Sequence, residues 1–283
     1  MGTAIFRRYV LIGAIGQGGV STVYSAIDAR RGRKLAVKIL APAMAQSASA
    51  REDVQREALI TDRLRHPSVP RVFEYGEAPL PDGTVVPFVV LELLTGVPLI
   101  DVLARGPLPW REAVRIAATV ADVLAVAHRR GVVHRDLNAR NVMVTSTGPK
   151  IIDFGLATAA VEDGGVGRPS MLPGRPDRAV APSHPKTAFA SPADDVYTLG
   201  VLLYEMLTGR SPYPAAAAAT NMYAGRTPHL APTPVLAIPG LPSRIRDLVR
   251  ACMAKRPDMR PAGAEVALSL WAVLDTPLNA TIG

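Results

Sequence analysis

The chain has 283 residues, 48% of them hydrophobic, which is enough to bury one large core or two smaller ones. Its formal net charge is +8, but the Arg residues are spread over both halves without an aromatic-interleaved stripe or a long basic tail, so no nucleic-acid partner is expected. The single cysteine, Cys252, excludes an internal disulfide framework, and with no cleavable leader and no membrane segment predicted we expect a cytoplasmic protein.

The first part of the chain, from about Tyr9 to Val90, predicts short strands interrupted by one helix. A glycine-rich stretch lies near its beginning, and Ser21 stands where a third glycine would complete the pattern G-x-G-x-x-G. Glycine clusters are usually plain turns, yet their missing Cβ atoms also let backbone N–H groups come close to an anion. The candidate residues of this stretch are Ile15, Gly16, Gln17, Gly18, Gly19 and Val23.

The apolar strand predicted at Leu35–Ile39 carries one Lys, at position 38. Only five of the 32 Lys and Arg residues are Lys, so Lys38 is not simply the default cation of this sequence. A compact ammonium on a flexible stem suits a phosphate site, while a solvated Lys on a strand is the plain alternative.

A helix predicted from about Ser49 to Leu64 offers a carboxylate that could pair with this Lys. Glu57 lies among apolar residues at helical spacing, which favours an inward-facing side chain over a solvated one. Glu52 and Asp53, earlier on the same helix, are the competing candidates.

Beyond Gly96 the sequence becomes mainly helical. One helix is predicted from Pro109 to Arg130, because Pro stands at its start, apolar residues follow at near-3.6 periodicity and Gly131 comes just past its end. Further helices are predicted near Asp194–Thr208, Pro242–Lys255 and Pro261–Leu274.

The polar stretch His134-Arg135-Asp136-Leu137-Asn138-Ala139-Arg140-Asn141 lies between two short predicted strands, Val132–Val133 and Val142–Val144. A third predicted strand, Lys150–Ile152, leads into Asp153-Phe154-Gly155. A lone His-Arg-Asp triplet is most often a polar turn with a structural His, but the joint pattern at this spacing is far more specific. It resembles the catalytic loop of protein kinases followed by their metal-binding Asp-Phe-Gly.

The resemblance covers nearly the whole chain and is closest in pattern to bacterial Hanks-type serine/threonine protein kinases. It implies an α+β, bilobal protein-kinase fold with a small, mostly β N-lobe that carries helix C and a larger, mostly α C-lobe. The N-lobe and hinge would span residues 1–94, and the C-lobe, with the catalytic loop, activation segment and substrate docking, residues 95–283.

The resemblance also implies catalytic roles for five residues. Asp136 would accept the proton of the substrate hydroxyl, and Asn141 and Asp153 would hold the metal ions that neutralise the ATP phosphates. Lys38 would grip the α- and β-phosphates, held in place by Glu57 on helix C. The cofactors implied are ATP and Mg²⁺, with Mn²⁺ as an alternative metal.

An ATP pocket and a structural set follow from the same resemblance. Leu91 matches the gatekeeper before the hinge, whose backbone binds adenine, and Asp195 matches the residue that anchors the catalytic-loop backbone. A helix N-cap role is the plain alternative for Asp195. The ATP-binding set consists of the glycine-rich residues above with Ala36, Lys38, Leu91, Glu92, Leu94 and Met143. The structural and regulatory set is His134, Arg135, Phe154, Gly155, Asp195 and Arg260.

One departure from the family lies inside the catalytic loop. Serine/threonine kinases usually carry Lys two residues after the catalytic Asp, where this chain has Asn138. Arg140 lies where some tyrosine kinases place a compensating Arg, so we expect its guanidinium to stabilise the transferred phosphoryl group. This feature keeps tyrosine phosphorylation open.

A second departure lies between the Asp-Phe-Gly motif and the next helix. The family's Ala-Pro-Glu motif is degraded, because Ser183 stands in place of the Glu that would pair with Arg260. The stretch Gly164–Pro185 is rich in Pro, Gly and Arg and is expected to be mobile. Ser170 and Thr158 are candidate phosphosites.

Two functions of different classes follow. The first is an active protein kinase that transfers the γ-phosphoryl group of MgATP to Ser or Thr of proteins, itself included. The alternative is a pseudokinase-like nucleotide-binding scaffold with little or no phosphotransfer. The expected partners are protein substrates, and a regulatory partner or a dimer is left open.

Overall fold

The structure is a computed structural model that describes residues 4–5, 8–18, 21–80, 82–154, 158–159, 191–213 and 234–276. Its contacts divide the described residues into two compact units. The N-terminal unit runs to residue 96 and also takes in residues 152–154, whereas the C-terminal unit holds residues 97–151 and those after 157. The predicted division after residue 94 had placed 152–154 with the larger part instead.

The N-terminal unit is built on one antiparallel sheet of six strands. In the order β1-β2-β3-β4-β6-β5, its central strands alternate apolar residues toward two faces. One face forms a core around Leu35, Val37 and Phe88, all nearly fully buried. The strands are β1 Ala4–Ile5, β2 Tyr9–Gln17, β3 Ser21–Asp28, β4 Lys34–Leu40, β5 Val72–Pro79 and β6 Val85–Leu91.

The opposite face of the sheet is covered by helix α1, Ala48–Leu64, after a short 3₁₀ turn at Pro42–Met44. The Ser47 hydroxyl accepts a hydrogen bond from the Ala50 N–H at 3.3 Å, which caps the start of the helix. Val54 and Ala58 of α1 pack in a second core cluster with residues of β4, β5 and β6. This packing fixes which side chains of the helix face the sheet, and it is the basis of the site described below.

The C-terminal unit is mainly helical and is organised around α3, which packs against α4 and α6. A hairpin of β9 and β10 pairs further with β7, and β8 pairs with β11. The helices are α2 Leu99–Leu103, α3 Trp110–Arg129, α4 Pro192–Thr208, α5 Ser243–Cys252 and α6 Gly263–Asp275. The strands are β7 Gly96–Pro98, β8 Val132–Val133, β9 Val142–Thr145, β10 Gly148–Ile151 and β11 Thr158–Ala159, and a 3₁₀ turn lies at Pro257–Met259.

Helices α4 and α5 approach each other closely at Gly200. A Cβ atom at this position would lie 2.8 Å from Cβ of Cys252 and 2.9 Å from Cγ of Met253. No real Cβ tolerates such distances, so the packing of α4 on α5 requires glycine here. Cys252 itself is 2% exposed and fills the other side of this contact.

The observed elements match the predicted ones within a few residues. The strand predicted at Lys150–Ile152 begins earlier, at Gly148, because it forms a hairpin with β9. The helix predicted to run to Lys255 ends at Cys252. Among the described residues, no helix is both long and apolar enough to span a lipid bilayer.

Candidate active site

The glycine-rich stretch forms the exposed end of the β2–β3 hairpin. All side chains from residue 12 to residue 18 are exposed, including the apolar Ile12 and Ile15, and the Gly18 N–H donates to the Ser21 carbonyl at 2.8 Å. Gly19, part of the predicted set, lies outside the described residues. The hairpin end therefore exposes the backbone of its glycines, which leaves room for an anion to approach.

The sheet register brings several predicted ATP-binding residues onto the face that α1 covers. Gly16 pairs with Val23, Val23 pairs with Lys38, and Lys38 pairs with Val89. Two residues before Lys38 on β4, Ala36 pairs with Leu91. Because alternate residues of a strand share a face, Ala36 and Lys38 point to the same side.

Lys38 is held between two carboxylates of the N-terminal unit. Its Nζ lies 2.7 Å from both carboxylate oxygens of Glu57 and 3.5 Å from Oδ1 of Asp153. The side chains of Lys38 and Glu57 are only 13% and 11% exposed, whereas that of Asp153 is 46% exposed. The competing carboxylates Glu52 and Asp53 do not approach Lys38: Glu52 is exposed, and Asp53 pairs with an Arg on α1.

The charge on Lys38 is stabilised by these neighbours. Burial alone would lower the pKa of Lys38, but the negative charges of Glu57 and Asp153 outweigh it and raise the pKa above its usual value. Lys38 therefore stays a fixed cation over the physiological pH range. A permanent cation on a buried strand, with one exposed carboxylate beside it, fits a site for phosphate and metal.

Asp153 has a backbone conformation that L residues rarely adopt, with φ of 70°. Phe154 next to it is 1% exposed, so its packing helps to hold the turn in place. A left-handed non-glycine residue at a candidate site is a local strain of about 1–3 kcal/mol, which the surrounding packing has to maintain. The Asp153 side chain is 46% exposed in this conformation. Gly155 lies outside the described residues.

The predicted hinge follows β6 as an extended segment. The Glu92 N–H donates to the Arg71 carbonyl at 2.8 Å, and the Glu92 carboxylate accepts from the Arg71 N–H at 3.2 Å. These bonds fix the backbone just after Leu91, whose side chain is half-buried. Leu94 is half-buried in the same segment.

In the C-terminal unit the predicted catalytic loop is anchored by Asp195 on α4. The Asp195 carboxylate is 1% exposed and accepts from the backbone N–H groups of His134 at 2.8 Å and Arg135 at 2.9 Å. It also lies 2.8 Å from Nε2 of His128, at the end of α3. Arg135 has φ of 67°, so the loop is bent at the residue that this carboxylate holds.

Within the loop, two amide side chains fix the backbone around Asp136. Nδ2 of Asn138 donates to the Asp136 carbonyl at 2.8 Å and to its carboxylate Oδ1 at 3.1 Å. Nδ2 of Asn141 donates to the same carbonyl at 2.8 Å, which leaves Oδ1 of Asn141 as an acceptor for a metal ion. Asn138, the residue that replaces the family's Lys, thus positions the Asp136 carboxylate directly.

Arg140 and Met143 complete the predicted residues of this loop. The Arg140 N–H donates to Oδ1 of Asn138 at 2.9 Å, and the Arg140 side chain is exposed. Met143 is half-buried on β9, opposite Lys150 of β10. His134 is fully buried, and its Nδ1 accepts from the Asp136 N–H at 3.2 Å. This bond places the ring proton on Nε2.

A metal ion here would rely on few protein ligands. Among the described residues, no group of three or more His, Cys, Asp or Glu side chains could hold a metal by itself. Mg²⁺ is commonly bound through one or two carboxylates together with substrate phosphates. The exposed Asp153 of the N-terminal unit and the Asn141 amide oxygen of the C-terminal unit each have suitable donor chemistry.

Arg260 is satisfied by partners other than the Glu that Ser183 replaces. Its guanidinium donates to the backbone carbonyls of Ala254 at 2.9 Å and Ala193 at 2.8 Å, and it lies 3.4 Å from a carboxylate oxygen of Asp194. The Arg260 side chain is 0% exposed, so these bonds offset the cost of burying its charge. Ser183, Ser170 and the stretch Gly164–Pro185 lie outside the described residues, as does the side chain of Thr158.

Sequence reasoning missed His128 and Asp194. His128 continues the spacing of four that links Ile116, Val120 and Leu124 on the buried side of α3, which marks it as an inward-facing polar residue. The sequence indicated no role for Asp194 beyond its place next to Asp195. Its contact with Arg260 joins residues 66 positions apart. No local pattern predicts such a contact.

The two-unit architecture, the ion pair on Lys38 and the anchored loop around Asp136 define a protein kinase domain. The model of the protein kinase domain family matches residues 9–272, and the chain belongs to this family.

Curated relatives are bacterial serine/threonine-protein kinases. The chain is 36% identical over 262 residues to serine/threonine-protein kinase PknA of Mycobacterium tuberculosis, which covers 92% of this chain and 59% of that protein. It is 34% identical over 268 residues to serine/threonine-protein kinases drp72 of Corynebacterium efficiens, covering 94% of this chain and 50% of that protein. With PknB of Mycobacterium leprae the identity is 35% over 208 residues, covering 73% and 33%. The chain therefore spans less than two thirds of the length of these relatives.

Proposed function

We propose that this chain is an ATP-dependent protein kinase that phosphorylates Ser or Thr residues of proteins, its own included. The observation that carries the proposal is Lys38, a buried cation held by both oxygens of Glu57 with the exposed carboxylate of Asp153 beside it. A pseudokinase under no selection for phosphotransfer has no need to keep all of these groups together with Asp136 and Asn141. The names of the relatives support the same activity.

In the proposed reaction the substrate hydroxyl oxygen forms a bond to the γ-phosphorus of ATP while the bond from that phosphorus to the β-γ bridging oxygen breaks. The hydroxyl proton passes to the Asp136 carboxylate, and ADP leaves. Lys38 would bind the α- and β-phosphates, and Asp153 and Asn141 would hold Mg²⁺, or Mn²⁺ in its place. The metal ion would supply positive charge that neutralises the phosphates. Asn138 orients Asp136, and the exposed Arg140 supplies a cation for the transferred group.

The proposed chemistry also suggests where the chain acts and on what. Because the reaction consumes ATP and the only cysteine is a buried free thiol, we place the chain in the cytoplasm, acting in signalling on protein substrates. A regulatory protein or a second copy of the chain would control it.

The test is incubation of the purified chain with γ-labelled ATP and Mg²⁺ or Mn²⁺, beside Asp136→Asn and Lys38→Met variants, with mass spectrometry of the products. Label on Ser or Thr with the parent, and none with either variant, is the expected result. If the parent binds nucleotide in a thermal-shift assay but labels neither itself nor generic protein acceptors, the kinase proposal is wrong and the chain is a nucleotide-binding scaffold.

An Arg140→Ala variant tests the role given to that residue. Loss of a cation that stabilises the transferred group should lower turnover about 10²-fold or more with little change in folding. Lys150→Ala removes a cation from the nearby hairpin and serves as the matched control. Unchanged turnover in Arg140→Ala would remove Arg140 from the mechanism.

A further inference from the structure

The turn between β3 and β4 carries a dense group of cations that the candidate active site does not use. Four Lys or Arg side chains follow Asp28 within six positions of the sequence. Arg71, directly before β5, joins them, because Arg33 and Arg71 both lie over the ring of Phe73. We call the group the basic cluster, and its members are Arg30, Arg31, Arg33, Lys34 and Arg71.

Asp28 fixes the backbone of this turn. Its buried carboxylate accepts hydrogen bonds from the Arg8 guanidinium at 3.0 Å and from the Arg30 N–H at 3.0 Å. Its carbonyl accepts from the Gly32 N–H at 2.7 Å, and Gly32 has φ of 65°, a conformation that glycine adopts without strain. The cations of the turn therefore extend from a backbone with a defined shape.

Two guanidinium groups of the basic cluster are placed by one aromatic ring. Cζ of Arg33 lies 3.9 Å from the centre of the Phe73 ring, and Cζ of Arg71 lies 5.5 Å from it. Such cation–π contacts orient a guanidinium group before any ligand arrives. Nε of Arg33 is also buried, with no hydrogen-bond partner in the described part of the chain. An unpaired buried donor is costly, and an anion at the edge of this guanidinium would offset that cost.

The basic cluster has no carboxylate of its own. Within the residues that the structure describes, no Asp or Glu forms an ion pair with any of its five members. Asp28 and Glu74, which lie beside it, both pair with Arg8, at 3.0 and 2.7 Å. With Arg8 and Glu92 included, six cations stand against three carboxylates, and the local charge is +3. The surface therefore complements an acidic partner.

The arrangement favours a phosphate group over other anions. A phosphate on Ser or Thr carries about two negative charges and three acceptor oxygens, and guanidinium groups bind it with paired hydrogen bonds. A second copy of this chain would bring the same positive surface to a symmetric contact, where the like charges repel. An anionic membrane attracts each Lys or Arg by a similar amount wherever its side chain points, so it gains nothing from an oriented Arg33. The fixed guanidinium group therefore indicates a compact anion as the ligand.

We propose that the basic cluster binds a phosphorylated Ser or Thr in a segment of a partner protein. The phosphate contacts the guanidinium groups of Arg33 and Arg71, and acidic residues beside it contact Arg30, Arg31 or Lys34. Clusters of Arg are a recurring way in which proteins recognise phosphorylated segments. The binding does not depend on phosphotransfer by this chain, but it would retain products of the kind that the proposed reaction makes.

The probe is a fluorescein-labelled peptide with one phosphoserine between Gly and Asp residues, and binding is measured by fluorescence anisotropy without nucleotide. Salt at about 0.15 M screens the general attraction that a chain of net charge +8 has for any anion. Two control peptides replace the phosphoserine by Ser or by two Glu residues, which match the charge of the phosphate. Saturable binding of the phosphopeptide is expected, at least about tenfold tighter than that of either control.

Charge-preserving variants test the geometry of the site. Arg33→Lys keeps the positive charge but loses the planar fork and its stacking on Phe73, and should weaken binding at least about fivefold. Phe73→Leu changes no charge but removes the ring that orients both guanidinium groups, and should weaken binding about threefold. The melting temperature of Phe73→Leu shows whether the sheet core beside this residue has kept its stability, and Arg33→Lys tests the site without changing that core.

Matched removals of charge locate the site. Arg33→Gln combined with Arg71→Gln should weaken binding at least about tenfold. Arg115→Gln combined with Arg244→Gln removes two exposed cations of the C-terminal unit and lowers the net charge equally, so this pair should bind like the parent. Lys38→Met, which removes the cation of the candidate active site, should also bind the phosphopeptide like the parent.

Three results would overturn the proposal. One is that the parent binds either control peptide as tightly as the phosphopeptide, or binds none of the three. Another is that Arg33→Gln with Arg71→Gln weakens binding no more than the matched pair in the C-terminal unit. The third is that Arg33→Lys binds like the parent, and capture of the chain by vesicles containing phosphatidylserine would then assign the basic cluster to a membrane surface. Because binding is read without ATP, these results are independent of whether the chain transfers phosphate.

Discussion

The two parts of the candidate active site are held in place by different kinds of interaction. Lys38 in the N-terminal unit is positioned mainly by its ion pair with Glu57, which joins a strand to a helix, and the Asp153 carboxylate lies 3.5 Å away. The loop around Asp136 in the C-terminal unit is held by a buried carboxylate that accepts from two backbone N–H groups, and by amide side chains within the loop itself. A shift of α1 would separate Glu57 from Lys38, whereas several hydrogen bonds within the C-terminal unit hold the Asp136 loop. The comparison predicts that a movement of α1 disturbs the position of Lys38 before it disturbs the Asp136 loop.

The largest expected effect comes from removing the loop anchor. Asp195→Ala leaves two buried N–H groups and His128 without their acceptor, and should lower the free energy of unfolding by about 3–5 kcal/mol, as for a broken buried charge network. Urea denaturation of the parent and of Asp195→Ala measures this difference in the free energy of unfolding. His128→Gln removes one contact and should cost only about 1 kcal/mol. Equal stability of Asp195→Ala and the parent would show that the loop holds its shape without α4.

The ion pair should matter for activity more than for folding. Lys38→Met removes the phosphate-binding cation and should lower kcat about 10²–10³-fold, as for loss of one stabilising group in the transition state. Glu57→Gln keeps the cation but loosens it, and should cost about tenfold, mostly in the KM for ATP. Steady-state kinetics on a peptide substrate measures kcat and the KM for ATP separately for each variant. If Glu57→Gln lowers kcat as much as Lys38→Met, Glu57 does more than hold the Lys in place.

A smaller effect should come from one carboxylate on α4. Burial raises the pKa of the Glu205 carboxyl to about 7. A carboxyl whose pKa is raised by folding stabilises the fold below its unfolded pKa, and this contribution disappears as the pH rises through about 7. The parent should therefore lose about 2 kcal/mol of stability between pH 5 and pH 8 that Glu205→Gln does not lose.

Urea unfolding of both proteins at several pH values measures this difference. Asp62→Asn, which changes an exposed carboxylate on α1, is the control and should follow the parent. Parallel stability curves for the parent and Glu205→Gln would mean that Glu205 ionises normally in the folded chain.

Much of the site could be predicted from the sequence because its parts are local. The Asp136 loop and the Asp153 turn lie within short stretches, so spacing alone indicates them. The choice of Glu57 over Glu52 and Asp53 followed from helical periodicity, and the geometry agrees with it. The short strands and the single helix of the N-terminal unit and the long periodic helix α3 were predicted for the same reason.

The rest depends on contacts between residues far apart in the chain. The bond from His128 to Asp195 spans 67 positions, and the contact of Arg260 with Asp194 spans 66. Asn138 was read as the loss of a cation, but its amide contact with the Asp136 carboxylate became visible only in three dimensions.

The close approach of α4 and α5 at Gly200 makes the single cysteine a natural probe of how the C-terminal unit opens. Burial raises the pKa of the Cys252 thiol to about 12, so the reactive thiolate is scarce at pH 8 while the helices stay packed. A thiol reagent should therefore modify Cys252 mainly in conformations that expose it. The rate of labelling then reports how readily the packing around Cys252 opens, in a chain that needs no engineered tag.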